Sequence, residues 1–168
     1  MKVERLMTRD VQTCRPESDL SAVAMQMWNW DCGVVPVVSG GKVVGMITDR
    51  DICIAAATKH RHVAKIRVNE VARGQEVYSC SPADDVHDAL KLMKEKRVRR
   101  LPVINAETGE LAGILSINDV ALNAQPEATN GELCAQDVEE TLKAICTHPI
   151  RTLGAPLMEA ASPLTAAA

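Results

Sequence analysis

The chain has 168 residues, 46% apolar and 24% charged, with a formal net charge of −3. That length fits one domain or two half-domains sharing a core, and the charge lacks the basic excess of a duplex-binding surface. With no Phe, one Tyr (Tyr78) and two Trp (Trp28, Trp30), the core must rest on Val, Ile, Leu, Met and Ala, and no aromatic platform for single-stranded nucleic acid is evident.

The opening MKVERLMTRD has no hydrophobic signal core, and no apolar run approaches the roughly 20 residues that span a bilayer. Six cysteines (14, 32, 53, 80, 134, 146) form no CxxC and no zinc-spaced cluster with histidine. A cytoplasmic protein with free thiols and no membrane segment is expected.

Next, in chain order, Val11–Pro16 reads as a short strand closed by a Pro turn. An amphipathic helix follows near Leu20–Trp30, with Leu20, Val23, Ala24 and Met27 on one face. Trp28 and Trp30 end it; one is expected in the core and the other at an interface. VVPVV, SGGK and VVGMIT then read as a hairpin, followed by a second helix near Asp49–Thr58. KHRHVAKIRV (59–68) reads as a solvated linker.

The same order then repeats. VYSCSP (77–82) matches VQTCRP (11–16) and RRLPVI (99–104) matches GVVPVV (33–38), both at an offset of 66. GILSINDV (113–120) matches GMITDRDI (45–52) at 68, because NAETGE is two residues longer than SGGK. An insertion confined to a hairpin tip is what a tolerant loop shows. Ser81 or Asp84 is the predicted cap of a helix carrying Val86, Ala89, Leu90 and Met93, and the last helix of the copy lies near Asn118–Asn123. The unit is β-α-β-β-α. The division is residues 1–62 for the first repeat, 63–124 for the second, and 125–168 for a C-terminal extension. That extension, with two basic against six acidic side chains, holds a helix near 132–147 and then a mobile tail rich in Ala and Pro.

Thr48-x-x-Asp51 and Ser116-x-x-Asp119 are the chemically informative pairs. Each is close to a capping box, in which the hydroxyl accepts from a helix N–H and the carboxylate reaches back. Alternatively, a strand-to-helix junction gathers N–H groups at one spot that suits an anion, and an Asp one turn in can accept both hydroxyls of a ribose. The doubling in the company of Pro-punctuated strands favours the second role. No nucleophile–base pair, metal triad or phosphate-transfer loop is evident, so neither catalytic nor metal-ligating residues are assigned and no enzyme is expected. Cys14 and Cys80, at equivalent positions, read as small buried residues.

The paired pattern VQTCRP…GVVPVV…GMITDRDI and VYSCSP…RRLPVI…GILSINDV resembles a tandem pair of cystathionine-β-synthase (CBS) domains, a Bateman module, over roughly residues 3–124. The resemblance implies an α/β fold of two repeats packed about a pseudo-twofold axis, with two clefts between them. It implies an adenosine-containing effector: AMP, ADP, ATP, S-adenosylmethionine or NAD, alone or with Mg, and no catalytic cofactor. The family's ribose Asp falls on Asp51 and Asp119, and its phosphate- or ribose-contacting hydroxyl on Thr48 and Ser116. Adenine would lie against the two Pro motifs, near Thr13, Val35 and Pro36 in one copy and Ser79, Leu101 and Pro102 in the other. Phosphate would be neutralised from KLMKEKRVRR (91–100). Arg99 and Arg100 alternate in direction, so one is expected to point inward, with Arg100 favoured. The first copy has Val34-Val35 where the second has Arg99-Arg100, which predicts unlike clefts; whether the Asp51 cleft takes a less charged ligand or borrows arginines from the other repeat is open. The resemblance also implies a homodimer acting on a regulated partner protein. The alternatives are a dimeric scaffold that binds no nucleotide and, more remotely, a thiol or metal sensor.

Overall fold

The structure, a computed structural model, describes residues 1–72, 74, 76–127 and 132–147. Each repeat is built from a helix, an antiparallel hairpin and a second helix. In the first, α1 (Leu20–Asn29) precedes β1 (Val34–Ser39), β2 (Lys42–Thr48) and α2 (Asp49–Thr58). In the second, α3 (Val86–Lys96) precedes β3 (Arg100–Ile104), β4 (Leu111–Ser116) and α4 (Ile117–Asn123). The hairpins form two separate two-stranded sheets. Each carries a register shift at the same place, after Val37 and after Val103, as a duplicated unit should. Gly40 and Gly41 turn the first hairpin at φ of +57° and +79°, a conformation that costs glycine little.

The expected first strand of each repeat is reduced to one residue. Cys14 pairs in parallel with Val37, and Cys80 with Val103. The Cys14 N–H donates to the Pro36 carbonyl at 3.0 Å and the Val38 N–H to the Cys14 carbonyl at 2.8 Å. Two residues later Pro16 and Pro82, which have no N–H to donate, end the pairing. The cap of α3 is Asp85, whose carboxylate accepts from the His87 N–H at 2.9 Å, rather than Ser81 or Asp84. Asp84 instead closes the preceding turn, accepting from the Ser81 N–H at 2.7 Å. Asp19 caps α1 in the matching position.

The apolar faces read from the sequence pack inward, but into two cores rather than one. Leu20, Val23, Met27, Val35 and Ile47 form the first; Val86, Leu90, Met93, Leu101 and Leu115 form the second. Each core is completed by a segment from elsewhere in the chain. Ile66, Val68 and Ala72, from the expected linker and just beyond it, lie in the first core, with Ile66 and Val68 fully buried. The Leu20 N–H donates to the Ile66 carbonyl at 3.0 Å and the Val68 N–H to the Ser18 carbonyl at 2.9 Å. Val3 and Met7, from the N-terminal end, lie in the second core. Packing therefore does not follow the sequence division at residue 62. Fully burying a Val, Leu or Ile side chain is worth about 1.5–3 kcal/mol, so ends that look like linkers are structural parts of each repeat.

These crossings explain the repeated glycine. A Cβ added at Gly113 would stand 2.6 Å from the Thr8 carbonyl oxygen, and one at Gly45 would stand 3.4 Å from that of Ala72. Each glycine lets an incoming segment lie flat against its sheet.

The C-terminal helix α5 (Ala135–Cys146) packs on α3 and α4. Leu133, Val138 and Ile145 join the second core, and Lys94 pairs with Glu140 at 3.3 Å. The tail expected to be mobile, 148–168, lies outside the described residues. Among the described residues, no helix is long and apolar enough to cross a membrane.

Candidate functional site

The two hydroxyl–acid junctions sit at the ends of β2 and β4, and both form complete capping boxes. The Asp51 Oδ2 accepts from the Thr48 N–H at 2.9 Å and from the Thr48 hydroxyl at 2.7 Å, while the Thr48 Oγ1 accepts from the Asp51 N–H at 3.1 Å. Ser116 and Asp119 reproduce this at 2.8, 2.7 and 3.2 Å. The capping role is therefore met in both copies. It leaves capacity for more: Oδ1 of each carboxylate has no hydrogen bond among the described residues. An ionised carboxylate only accepts, so the hydroxyl proton must point at it. The hydroxyl's remaining lone pair can accept from a ribose O–H. In this arrangement it has no proton to give a phosphate oxygen.

Each junction's hydroxyl opens on a cleft built from both repeats; Asp119 borders its cleft beside Ser116, whereas Asp51 does not line the cleft that Thr48 borders. The Thr48 cleft, about 680 Å³, combines Met46, Thr48, Asp49 and Arg50 of the first repeat with Glu76, Val77, Tyr78, Arg97 to Arg100 and Pro102 of the second. The Ser116 cleft, about 310 Å³, combines Ile114, Ser116, Asn118 and Asp119 with Asp10 to Gln12 and Trp30 to Val34 of the first repeat. Both volumes lie in or near the range of small-molecule sites. Gly33, Val34 and Arg100 border both clefts.

The other expected contacts divide. Pro102 lines the Thr48 cleft. Val35 and Leu101 are fully buried; they alternate inward on their strands, so their side chains serve the cores. Pro36 is buried beside them. Thr13 and Ser79 are exposed and border neither cleft. Thr13 lines an outer groove with Pro16 and Gly40. The clefts are reached one or more residues earlier, by Val11, Gln12, Val77 and Tyr78.

The arginine expectation also changes. Both Arg99 and Arg100 border the Thr48 cleft. Arg100 pairs across its hairpin with Ser116 just as Val34 pairs with Thr48, so Val34 is the counterpart of Arg100 and Gly33 that of Arg99. Arg99 precedes the strand and does not obey its alternation. The Thr48 cleft does borrow arginines from the other repeat.

Sequence reasoning missed Tyr78 and Ile145, and within KLMKEKRVRR it did not single out Arg97. Tyr78 walls the Thr48 cleft; its hydroxyl donates to the Glu76 carboxylate at 2.7 Å, which pushes its pKa up, and Lys96 lies over its ring at 4.6 Å. Arg97 ends α3 at φ +53°, as Asp31 follows α1 at φ +47°. Few non-glycine residues adopt that conformation. Arg97 and Asp31 both stand five places before the Pro of the following strand, Pro102 and Pro36, at the repeat offset of 66.

Trp28 and Trp30 are both exposed, at 83% and 58%, so neither enters a core; Trp30 borders the Ser116 cleft. Cys14 and Cys80 are buried in different cores. Burial pushes their thiols up to about 11 and about 12, opposite to what a reactive thiolate needs. Among the described residues, no three His, Cys, Asp or Glu side chains converge as a metal site requires.

The CBS domain family model matches residues 3–58 and 68–124. The CBS domain-containing protein YhcV of Bacillus subtilis is 33% identical over 129 residues, 77% of this chain and 89% of that protein. The crystal structure of Hypoxic Response Protein I, described with two coordinated zinc ions, is similar with a TM-score of 0.66 at 27% identity, covering 74% of this chain and all of that one. The CBS domain pair of protein MJ0100, solved with 5′-methylthioadenosine and S-adenosyl-L-methionine, shares the fold at a TM-score of 0.65 and 20% identity, over 73% of this chain and 94% of the other. With both copies matched and the double-hairpin architecture in place, the chain belongs to the CBS domain family, as a tandem pair.

Proposed function

We propose that this protein is a regulatory module, not an enzyme, that binds adenosine-containing ligands between its repeats and passes the change to a partner protein. The observation that carries this reading is the construction of the clefts. Each places one repeat's junction hydroxyl, Thr48 or Ser116, opposite strand-entry segments of the other, so a ligand filling it touches both repeats. In the Ser116 cleft a ribose would be held by the free Oδ1 of Asp119, at about 1.5–3 kcal/mol per charge-assisted bond, and in the Thr48 cleft by the Thr48 hydroxyl, which Asp51 orients. The base would lie on aliphatic and aromatic walls such as Met46, Tyr78 and Pro102, or Val11, Val34 and Ile114. The MJ0100 pair with its adenosyl ligands supports the ligand class.

Occupancy can bias the angle between repeats only by its differential affinity for the two arrangements. The module acts as a homodimer through the uncovered face of α1 and α2. Isothermal titration with AMP, ATP, S-adenosylmethionine and NAD tests the reading. At least one should bind, and Asp51→Ala and Asp119→Ala should each weaken one cleft at least tenfold while the unfolding transition persists. No binding of any of them at millimolar concentration would replace the reading with a scaffold whose junctions are only helix caps.

A further inference from the structure

Resting on that reading, we propose that the clefts are sorted by charge: the Thr48 cleft takes a nucleoside polyphosphate, and the Ser116 cleft refuses it and takes an uncharged or cationic adenosyl ligand. The two clefts arose from one unit, so residues at matching positions can be compared directly. Arg97 stands where the first repeat has Asp31, and Arg99 where it has Gly33. Arg50, one residue before the acid in its junction, stands where the second repeat has Asn118. Because each junction faces the other repeat's strand-entry segment, all three differences fall on the same pair of clefts and run in the same direction.

Four guanidiniums border the Thr48 cleft against the carboxylates of Asp49 and Glu76. Three carboxylates, Asp10, Asp31 and Asp119, border the Ser116 cleft against Arg100, which the clefts share. Among the described residues, none of the four arginines makes a carboxylate pair within 4.0 Å. Their donors are free for phosphate oxygens, which guanidinium matches in geometry as well as charge. A polyphosphate in the Ser116 cleft would meet like charges, a repulsion that enforces selectivity. Size points the same way, at about 680 Å³ against about 310 Å³. The hydroxyl protons held by Asp51 and Asp119 assign the junctions to ribose and leave phosphate to the arginines.

The left-handed conformation at residue 97 supplies a clean variant. Arg97→Gly removes the charge and relaxes a backbone strained for any side chain, so lost binding cannot be blamed on lost folding. The probes are ATP without Mg and 5′-methylthioadenosine, titrated into the full chain. Arg97→Gly with Arg99→Gly should weaken ATP at least thirtyfold and change 5′-methylthioadenosine less than threefold. Asp119→Ala should do the reverse, and ATP affinity alone should fall steeply between 50 and 300 mM salt, as phosphate contacts by cations do. ATP affinity that ignores the arginine variant, or ATP binding lost through Asp119→Ala and not Asp51→Ala, overturns the sorting while leaving a nucleoside-binding module intact. If neither probe, nor AMP, S-adenosylmethionine or NAD, binds at millimolar concentration, the functional reading falls and the sorting with it.

Discussion

The two repeats share a backbone plan but differ in what covers their helices. In the second repeat, α5 lies across α3 and α4, and Leu133, Val138 and Ile145 seal its core. In the first, α1 and α2 carry only the short turn Val63–Lys65 and, among the described residues, no helix of that kind. Met25, Trp28 and Ile54 are exposed there, and a groove bordered by Ala24, Met27, Trp28 and Ile52 runs between the helices. The duplicated positions record the difference: Lys94, which pairs with Glu140 of α5, corresponds to Trp28. A unit of this size buries too little surface alone. Both cores are completed from within the chain, but only the second repeat is covered by a further helix; the first presents an exposed apolar patch, the face through which the proposed dimer would form.

Breaking that comparison at Trp28 should have the largest effect. Trp28→Glu places a charge in the centre of the exposed patch, and truncating an interface tryptophan commonly costs 2 kcal/mol or more. Dimer dissociation, followed by sedimentation equilibrium, should rise at least thirtyfold while the monomer keeps its unfolding midpoint. Lys94→Ala, at the matching position under α5, should leave dimerisation unchanged. A wild-type chain that sediments as a monomer at all concentrations would sink the dimer.

The motif glycines come next. The Cβ of Gly113→Ala would press on backbone at 2.6 Å, where nothing flexible can yield, whereas that of Gly45→Ala meets Ala72 at 3.4 Å and needs a shift of tenths of an ångström. Overpacking of the first kind costs about 2 kcal/mol, a fall of about 4–8 °C in Tm for a chain of this size. Gly45→Ala should cost less than half as much. Equal losses in thermal unfolding would mean that the N-terminal segment does not hold its place on β4 as firmly as the linker holds on β2.

The repeat, hairpins, helix faces and junction residues were legible because each is set by local spacing or turn chemistry. The crossed segments were not. KHRHVAKIRV is polar on average, yet Val63 packs at the edge of the core and Ile66 and Val68 are fully buried; average polarity outweighed these few positions. The cleft walls failed for a similar reason. A one-residue shift along a strand exchanges core for cleft, and the edge bridge at Cys14 and Cys80 set that register nonlocally. Capping was legible from Thr48-x-x-Asp51, but the pattern alone does not mark a ligand site. Cys134-x-x-Asp137 forms the same box, with Cys134 Sγ 3.3 Å from the carboxylate, at the start of a helix that lies on α3.

That third box gives the smallest predicted effect and tests how α5 is held. The Cys134 N–H donates to Asp137 Oδ2 at 3.0 Å, and His87 Nε2 lies 3.6 Å from the same oxygen. The backbone hydrogen bond from Cys134, with help from its thiol and from the charges of His87 and Lys94, holds the Asp137 carboxyl below its ordinary value. Glu140 on the same helix is lowered too, by Gln136 and Lys94. A carboxyl lowered by folding contributes stability that is complete above its unfolded pKa, about 3.9 for Asp, and is lost as pH falls through the folded value. Protection of the α5 amides against hydrogen exchange, corrected for intrinsic rates, should therefore be level from pH 7 to about 5 and decline below about 4. A cap of this kind is worth roughly 1 kcal/mol, about a fivefold change in protection. Asp137→Asn should lose most of that protection at neutral pH and flatten the acid decline, leaving only the share due to Glu140. The amides of α1, which has no partner helix of this kind, provide the internal reference, and an acid decline that is the same in both helices and in the variant would remove Asp137 from the account.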